Sequence, residues 1–247
     1  MLSRAGRGYP AYRRAHPARR LRRLLGFVLL VFALYQLVAL IAVRSVVHQT
    51  VVMEPTLQRG ERFFAIPLAY GPRVRLFGWV LPGFRPPARG DLALVRPGYV
   101  ERIGFARRLA DPVLRFFTLE HRRIDDGDGW DSSLQIKRII GLPGDTVRME
   151  RLTAYVRPAG SQEFAEEFML ASRPYDILAE ERPVAWQALD PFGTAFENIT
   201  LGDDEYFVLS DHRGAGLDSR HWGAIPASSI VSRLWIRYWP LHRFGRP

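Results

Sequence analysis

Lys137 is the single lysine of the chain, and every other side chain in its Lys plus Arg total of 35 is arginine. An arginine guanidinium keeps its proton in a protein, whereas a lysine amine shielded from water can release it near neutral pH and act as a general base. A lone lysine among arginines therefore marks a place where a neutral amine is useful. The competing reading is a surface lysine left over in an arginine-rich composition. The neighbouring residues favour the first. Lys137 lies in IKRIIGLPGD, residues 136 to 145, a strand-like run that passes into a turn specified by Gly141, Pro143 and Gly144. Three other segments are equally distinctive: VMEPTLQRGE (52 to 61), RGDLALVRP (89 to 97) and SDHRGAGLDSRHWGAIP (210 to 226).

Taken in chain order, the four segments resemble the bacterial type I signal peptidase (leader peptidase) family. Its blocks read roughly Ser-Met-x-Pro-Thr-Leu, Arg-Gly-Asp, Lys-Arg-x-x-Gly-Leu-Pro-Gly-Asp and Gly-Asp-Asn-Arg-Asp-x-Ser-x-Asp-Ser-Arg. RYWPLHRFG, residues 237 to 245, is similar to the family's last strand and tail. The resemblance covers about Gln49 to Gly245, apart from variable stretches at 99–133 and 150–203.

The resemblance implies a Ser/Lys endopeptidase in which a neutral lysine takes the proton of an attacking serine. The lysine carries over to Lys137. The serine position, immediately before Met53-Glu54-Pro55-Thr56-Leu57, holds Val52, which has no oxygen to attack with. Two residues earlier, where the family often has a second serine that helps bind the oxyanion, stands the hydroxyl of Thr50. The serine that orients the lysine in some members falls on Gly216, so that contact is expected to be missing. Asp211 and Arg213 match the last block, and Asp218, Ser219 and Arg220 preserve its end. Arg138 with Asp211, and Asp218 with Arg220, are expected as structural ion pairs near the site. An extended signal peptide would add as a strand beside Val52 and Lys137, with Met53, Leu57 and Ile136 either lining its small apolar pockets or packing in the core.

Three readings of activity are open. The protein binds extended peptides or partner proteins without cutting them; or it cuts with another hydroxyl, Thr50 being the candidate because residues i and i+2 of a strand face one side; or Lys137 activates a water, for which no residue speaks. A tethered β protein with no cleft function is the reading from another class.

The elements that must hold these residues come next. From Leu24 to Val43 no residue is charged, a run long enough at 1.5 Å per residue to cross a hydrocarbon layer of about 30 Å. Arginines crowd before it and only Arg44 follows directly, so the positive-inside rule places residues 1–23 in the cytoplasm as a basic tail and residues 44–247 outside the cytoplasmic membrane. Beyond Arg44, short β-branched and aromatic runs punctuated by Gly and Pro predict a mainly-β domain of the signal-peptidase-like antiparallel kind: Arg62–Ile66, Asp91–Val95, Leu134–Ile140, Thr146–Met149, Glu205–Leu209 and Ile230–Tyr238. Leu81–Gly90 reads as a loop. Glu101 to Leu119 has the spacing of a basic amphipathic helix broken at Pro112, either resting on lipid or packed as an insertion.

The formal net charge of +10 belongs mostly to the tail. Residues 1–43 hold eight arginines and no acid, which leaves 27 basic against 25 acidic residues beyond and argues against a nucleic-acid partner. The partners expected instead are signal peptides and membrane lipid. There is no cysteine, which excludes thiol nucleophiles and disulfides. The six histidines lack the spacing of a ligand set, and neither metal nor cofactor is implied.

Overall fold

The computed structural model describes residues 17–41, 44–71, 82–97, 134–179 and 196–247. Helix α1 spans Pro17–Ile41, with proline in its first turn where a missing N–H costs nothing. It carries the apolar run as far as Ile41, and the first strand, β1, is Arg44–Val47. Among the described residues, no helix is long and apolar enough to cross a membrane. The basic tail up to residue 16, residues 42–43 and 72–81, the whole 99–133 stretch with its expected amphipathic helix, and residues 180–195 lie outside the described residues.

The mainly-β expectation holds. Strands β2 (Arg62–Ile66), β3 (Leu92–Val95), β4 (Gln135–Gly141), β5 (Thr146–Glu150), β6 (Thr153–Arg157), β7 (Ala165–Glu166), β8 (Phe196–Thr200), β9 (Glu205–Leu209), β10 (Ile225–Pro226) and β11 (Ile230–Trp239) follow β1. Helix α2 is Glu167–Leu170 and α3 is Ser219–Trp222. One sheet runs β1-β2-β11-β3-β4-β9-β10 and a smaller one β7-β6-β5-β8, with every named pairing antiparallel. The stretch around 150–203, expected as an insertion, thus builds most of the second sheet.

Strand β4 is the central element, buried along almost its whole length. Its Ile136 joins Met53, Leu57, Phe63, Leu94 and Leu234 in one cluster. Ile139 joins Ala93, Val208 and Ile225 in a second, and Ile140 joins Val147 and Phe207 in a third. A strand that feeds three clusters has little freedom to slip, which fixes where Lys137 points.

The turn after β4 hands the chain from one sheet to the other, and its ties explain two of the sequence blocks. The Asp145 carboxylate accepts from the Leu142 N–H at 2.7 Å and from Arg89 at 2.6 and 3.1 Å. Gly90 offers its carbonyl to Arg138 at 2.9 Å, and Asp91 accepts from Arg85, Arg233 and the Tyr70 hydroxyl. The Arg-Gly-Asp segment is therefore a set of clasps on the β4 turn and the sheet beneath it.

Candidate functional site

Adjacent residues of a strand point to opposite faces, so β4 sends Lys137 one way and Arg138 the other. Lys137 pairs in register with Ala93, whose small side chain leaves room beside the lysine stem. The amine is fully buried, donates to the Ser210 hydroxyl at 2.8 Å and lies 5.6 Å from the centre of the Trp222 ring. Burial drives its pKa down to about 8; Asp218 pulls it upward, Arg220 downward and Asp211 upward. The lowering brings the amine toward the range in which a general base works.

Val52 stands beside it. A Cβ placed on Gly216 would lie 2.5 Å from Val52 Cγ1, 3.1 Å from Val52 Cβ and 3.6 Å from the Lys137 amine. The valine and the lysine amine thus both border the space in front of Gly216, whose φ is +76°, and the valine takes the room a side chain there would need. The Val52 carbonyl accepts from the His212 N–H at 3.1 Å, which stitches the segment after β1 to the loop after β9. Thr50 is half-buried, and among the described residues no hydrogen bond joins it to the amine.

Arg138 forms a bidentate pair with Asp211, which also accepts from the Thr56 hydroxyl. The guanidinium stacks over Tyr175 at 3.8 Å, and Tyr175 donates to Glu167, the partner of buried Arg213. Asp218 caps α3, accepts from the Ser210 N–H at 3.0 Å and pairs with Arg220. Burial alone would raise the Asp218 carboxyl, but Arg220, with further bonds from His221, holds it well below the usual carboxylate range. Ser219 accepts from the Val208 N–H at 2.9 Å, and Arg220 reaches the Arg213 carbonyl. All these groups anchor the loop that carries Ser210.

Met53 and Leu57 expose no surface and Ile136 almost none, so they form the floor under this region. Val46, Val52 and Leu134, partly buried against the same cluster, are the side chains with surface to offer. A cavity of about 240 Å³ lies on the Arg138 side, lined among others by Thr56, Tyr175 and Arg233, and Lys137 takes no part in it. Among the described residues no group of three metal-ligating side chains converges.

Gly216 offers the lysine no hydroxyl, and the hydroxyl that accepts from the amine is that of Ser210, which the sequence reading did not single out. Sequence reasoning passed over Ser210 because it stands where the family block reads glycine. It also passed over His48, which is buried near the lysine, its pKa lowered to about 4 by burial against an opposing pull from Glu61, with a further lowering from Lys137.

Residues 21–239 match the family described as Signal peptidase, peptidase S26. The chain belongs to this family. It is 27% identical over 193 residues to the Synechocystis protein described as "Probable signal peptidase I-2", covering 78% of this chain and 62% of that one. Similarity to the Signal peptidase I of Streptococcus pneumoniae is 26% over 182 residues, 62% of this chain and 89% of the relative. With the chloroplastic Thylakoidal processing peptidase 1 of Arabidopsis thaliana it is 28% over 189 residues, 76% and 39% of the two chains. Within the family's frame, the Lys137 face and the loop from Ser210 to Arg220 are the candidate active site.

Proposed function

We propose that this protein is a membrane-tethered signal peptidase homologue that receives signal peptides of exported preproteins beside Val52 and Lys137 and does not cut them by the Ser/Lys route. The observation that carries this reading is the valine that, with the lysine amine, borders the space in front of Gly216, at the position the resemblance assigns to the serine. A hydrocarbon there gives Lys137 nothing to deprotonate, and no acyl intermediate can form on it. The tether is the uncharged run from Leu24 to Val43 behind its arginines, which sets the tail in the cytoplasm and the β domain at the outer face of the membrane. Exposed Trp239, Leu241 and Phe244 at the end of β11 suit a domain that rests on lipid.

The test compares the unaltered chain, Val52→Ser, and Val52→Ser with Lys137→Arg on a preprotein with a small-x-small cleavage site. Cleavage by Val52→Ser alone, abolished by the second change, is the expected result. Cleavage by the unaltered chain that Lys137→Arg stops would overturn the reading. Loss of that cleavage in Thr50→Val would then assign the attack to the Thr50 hydroxyl.

A further inference from the structure

We propose that Ser210 is the positioning residue of Lys137, its hydroxyl doing from the end of β9 what a side chain at position 216 has no room to do. Three observations meet here. The lysine amine is fully buried and makes its hydrogen bond to the Ser210 hydroxyl at 2.8 Å. Any side chain on Gly216 would begin 2.5 Å from Val52 Cγ1, well inside contact distance, and on a backbone at φ +76°. Ser210 is itself held, its N–H donating to the Asp218 carboxylate at 3.0 Å, and Asp218 is clamped by Arg220.

The physical need is plain. A buried ammonium with three donors and no acceptor would be costly, and a buried amine without a fixed partner would not keep one rotamer. Val52 closes the approach from 216, so the acceptor has to come from another element. The first residue after β9 is such a place, because Leu209 pairs with Arg138 and Ser210 therefore starts beside Lys137. Valine at 52, glycine at 216 and serine at 210 form one matched set. This inference deepens the proposed function and rests on its placing of Lys137 at the site.

The lone lysine makes the test direct. Lysine carrying ¹³C at Cε and fed to the expressing cells gives one side-chain resonance, whose midpoint in a pH titration reports Lys137 alone. Ser210→Ala removes the acceptor of the charged form, so its midpoint should fall by about one pH unit below that of the unaltered chain. Ser210→Thr, which keeps the hydroxyl, should hold it. Where Ser210→Ala does not fold, Ser210→Cys, whose sulfur is a weak acceptor, should also lower it. Gly216→Ser should restore the midpoint of Ser210→Ala only together with Val52→Ala, which clears the space. An unchanged midpoint in a folded Ser210→Ala or Ser210→Cys protein overturns the inference.

None of these readings needs cleavage, so the two proposals fail separately. If Val52→Ser does not cut while Ser210→Ala moves the midpoint, the peptidase scaffold reading fails and the positioning stands. If Val52→Ser cuts with the same pH profile with or without Ser210, the positioning fails and the scaffold reading stands.

Discussion

Burying Lys137 is costly, and the cost depends on pH in a way that can be measured. The amine's pKa is about 8 in the folded chain against an ordinary 10.5, a difference of about 3 kcal/mol. Below pH 8 both folded and unfolded chains hold the proton and the folded state bears the full cost. Between 8 and 10.5 the unfolded chain holds more proton, so stability rises with pH, and above 10.5 the cost has gone. Lys137→Met should therefore be more stable than the parent at pH 7 by up to about 3 kcal/mol, with the gap closing as pH nears 10.5. Urea titrations in detergent at pH 7 and pH 10 measure it; an equal gap at both would contradict the assignment. The buried pair of Arg138 and Asp211 behaves in the opposite sense. Asp211→Ala leaves a guanidinium uncompensated and should cost about 3–5 kcal/mol, read from the same titrations. At this scale the sequence was informative where residue type is chemically restrictive. Lys137 stood out because arginine cannot replace a neutral amine, and Val52 because it has no oxygen. Ser210 did not stand out, since a serine beside an aspartate after a strand has many ordinary uses, and only the packing of Val52 against Gly216 gives it this one.

The strands that were readable are those with β-branched runs bounded by turns. Arg62–Ile66 and Glu205–Leu209 have the expected bounds, and β3, β4, β5 and β11 differ by a residue or two at one or both ends. Strand β1 was hidden because its four residues, Arg44–Val47, are too short a run to show a period beside the long apolar stretch before them. Strand β6 alternates cleanly, yet its hairpin with β5 turns through Arg151 and Leu152, whose φ values are +48° and +69°. The left-handed region favours glycine or asparagine, so the turn carried none of its usual chemistry. Arg151 is exposed there, and Arg151→Gly should relieve about 0.5–1 kcal/mol of strain, raising the thermal midpoint by a few degrees. A midpoint that falls instead would show that the arginine's contacts outweigh its backbone. Strands β7 and β10, of two residues each, are too short for any periodic signal.

For the whole molecule, charge and hydropathy are what the expected arrangement rests on. Arginine is concentrated before residue 24, and basic and acidic residues are nearly balanced beyond it. Of the second sheet only β5 was legible, because β6, β7 and β8 come from a stretch with no family block to mark it. One face is open to a test at this scale. Val47 and Trp239 both stand opposite Arg62, one on each side of β2, and all three are exposed, with Leu241 and Phe244 following. If that face rests on lipid, a protein reconstituted in vesicles with bromine on the acyl chains should lose part of its quenched tryptophan emission when Trp239 becomes Phe. Unchanged quenching would place the face in water. The stitch between the His212 N–H and the Val52 carbonyl has a further consequence at this scale. It is made by main chain alone, so it addresses residue 52 to the lysine whatever side chain is installed there. Under the proposed function, exchanging the side chain at 52 would therefore remove or restore a nucleophile while leaving this main-chain tie in place.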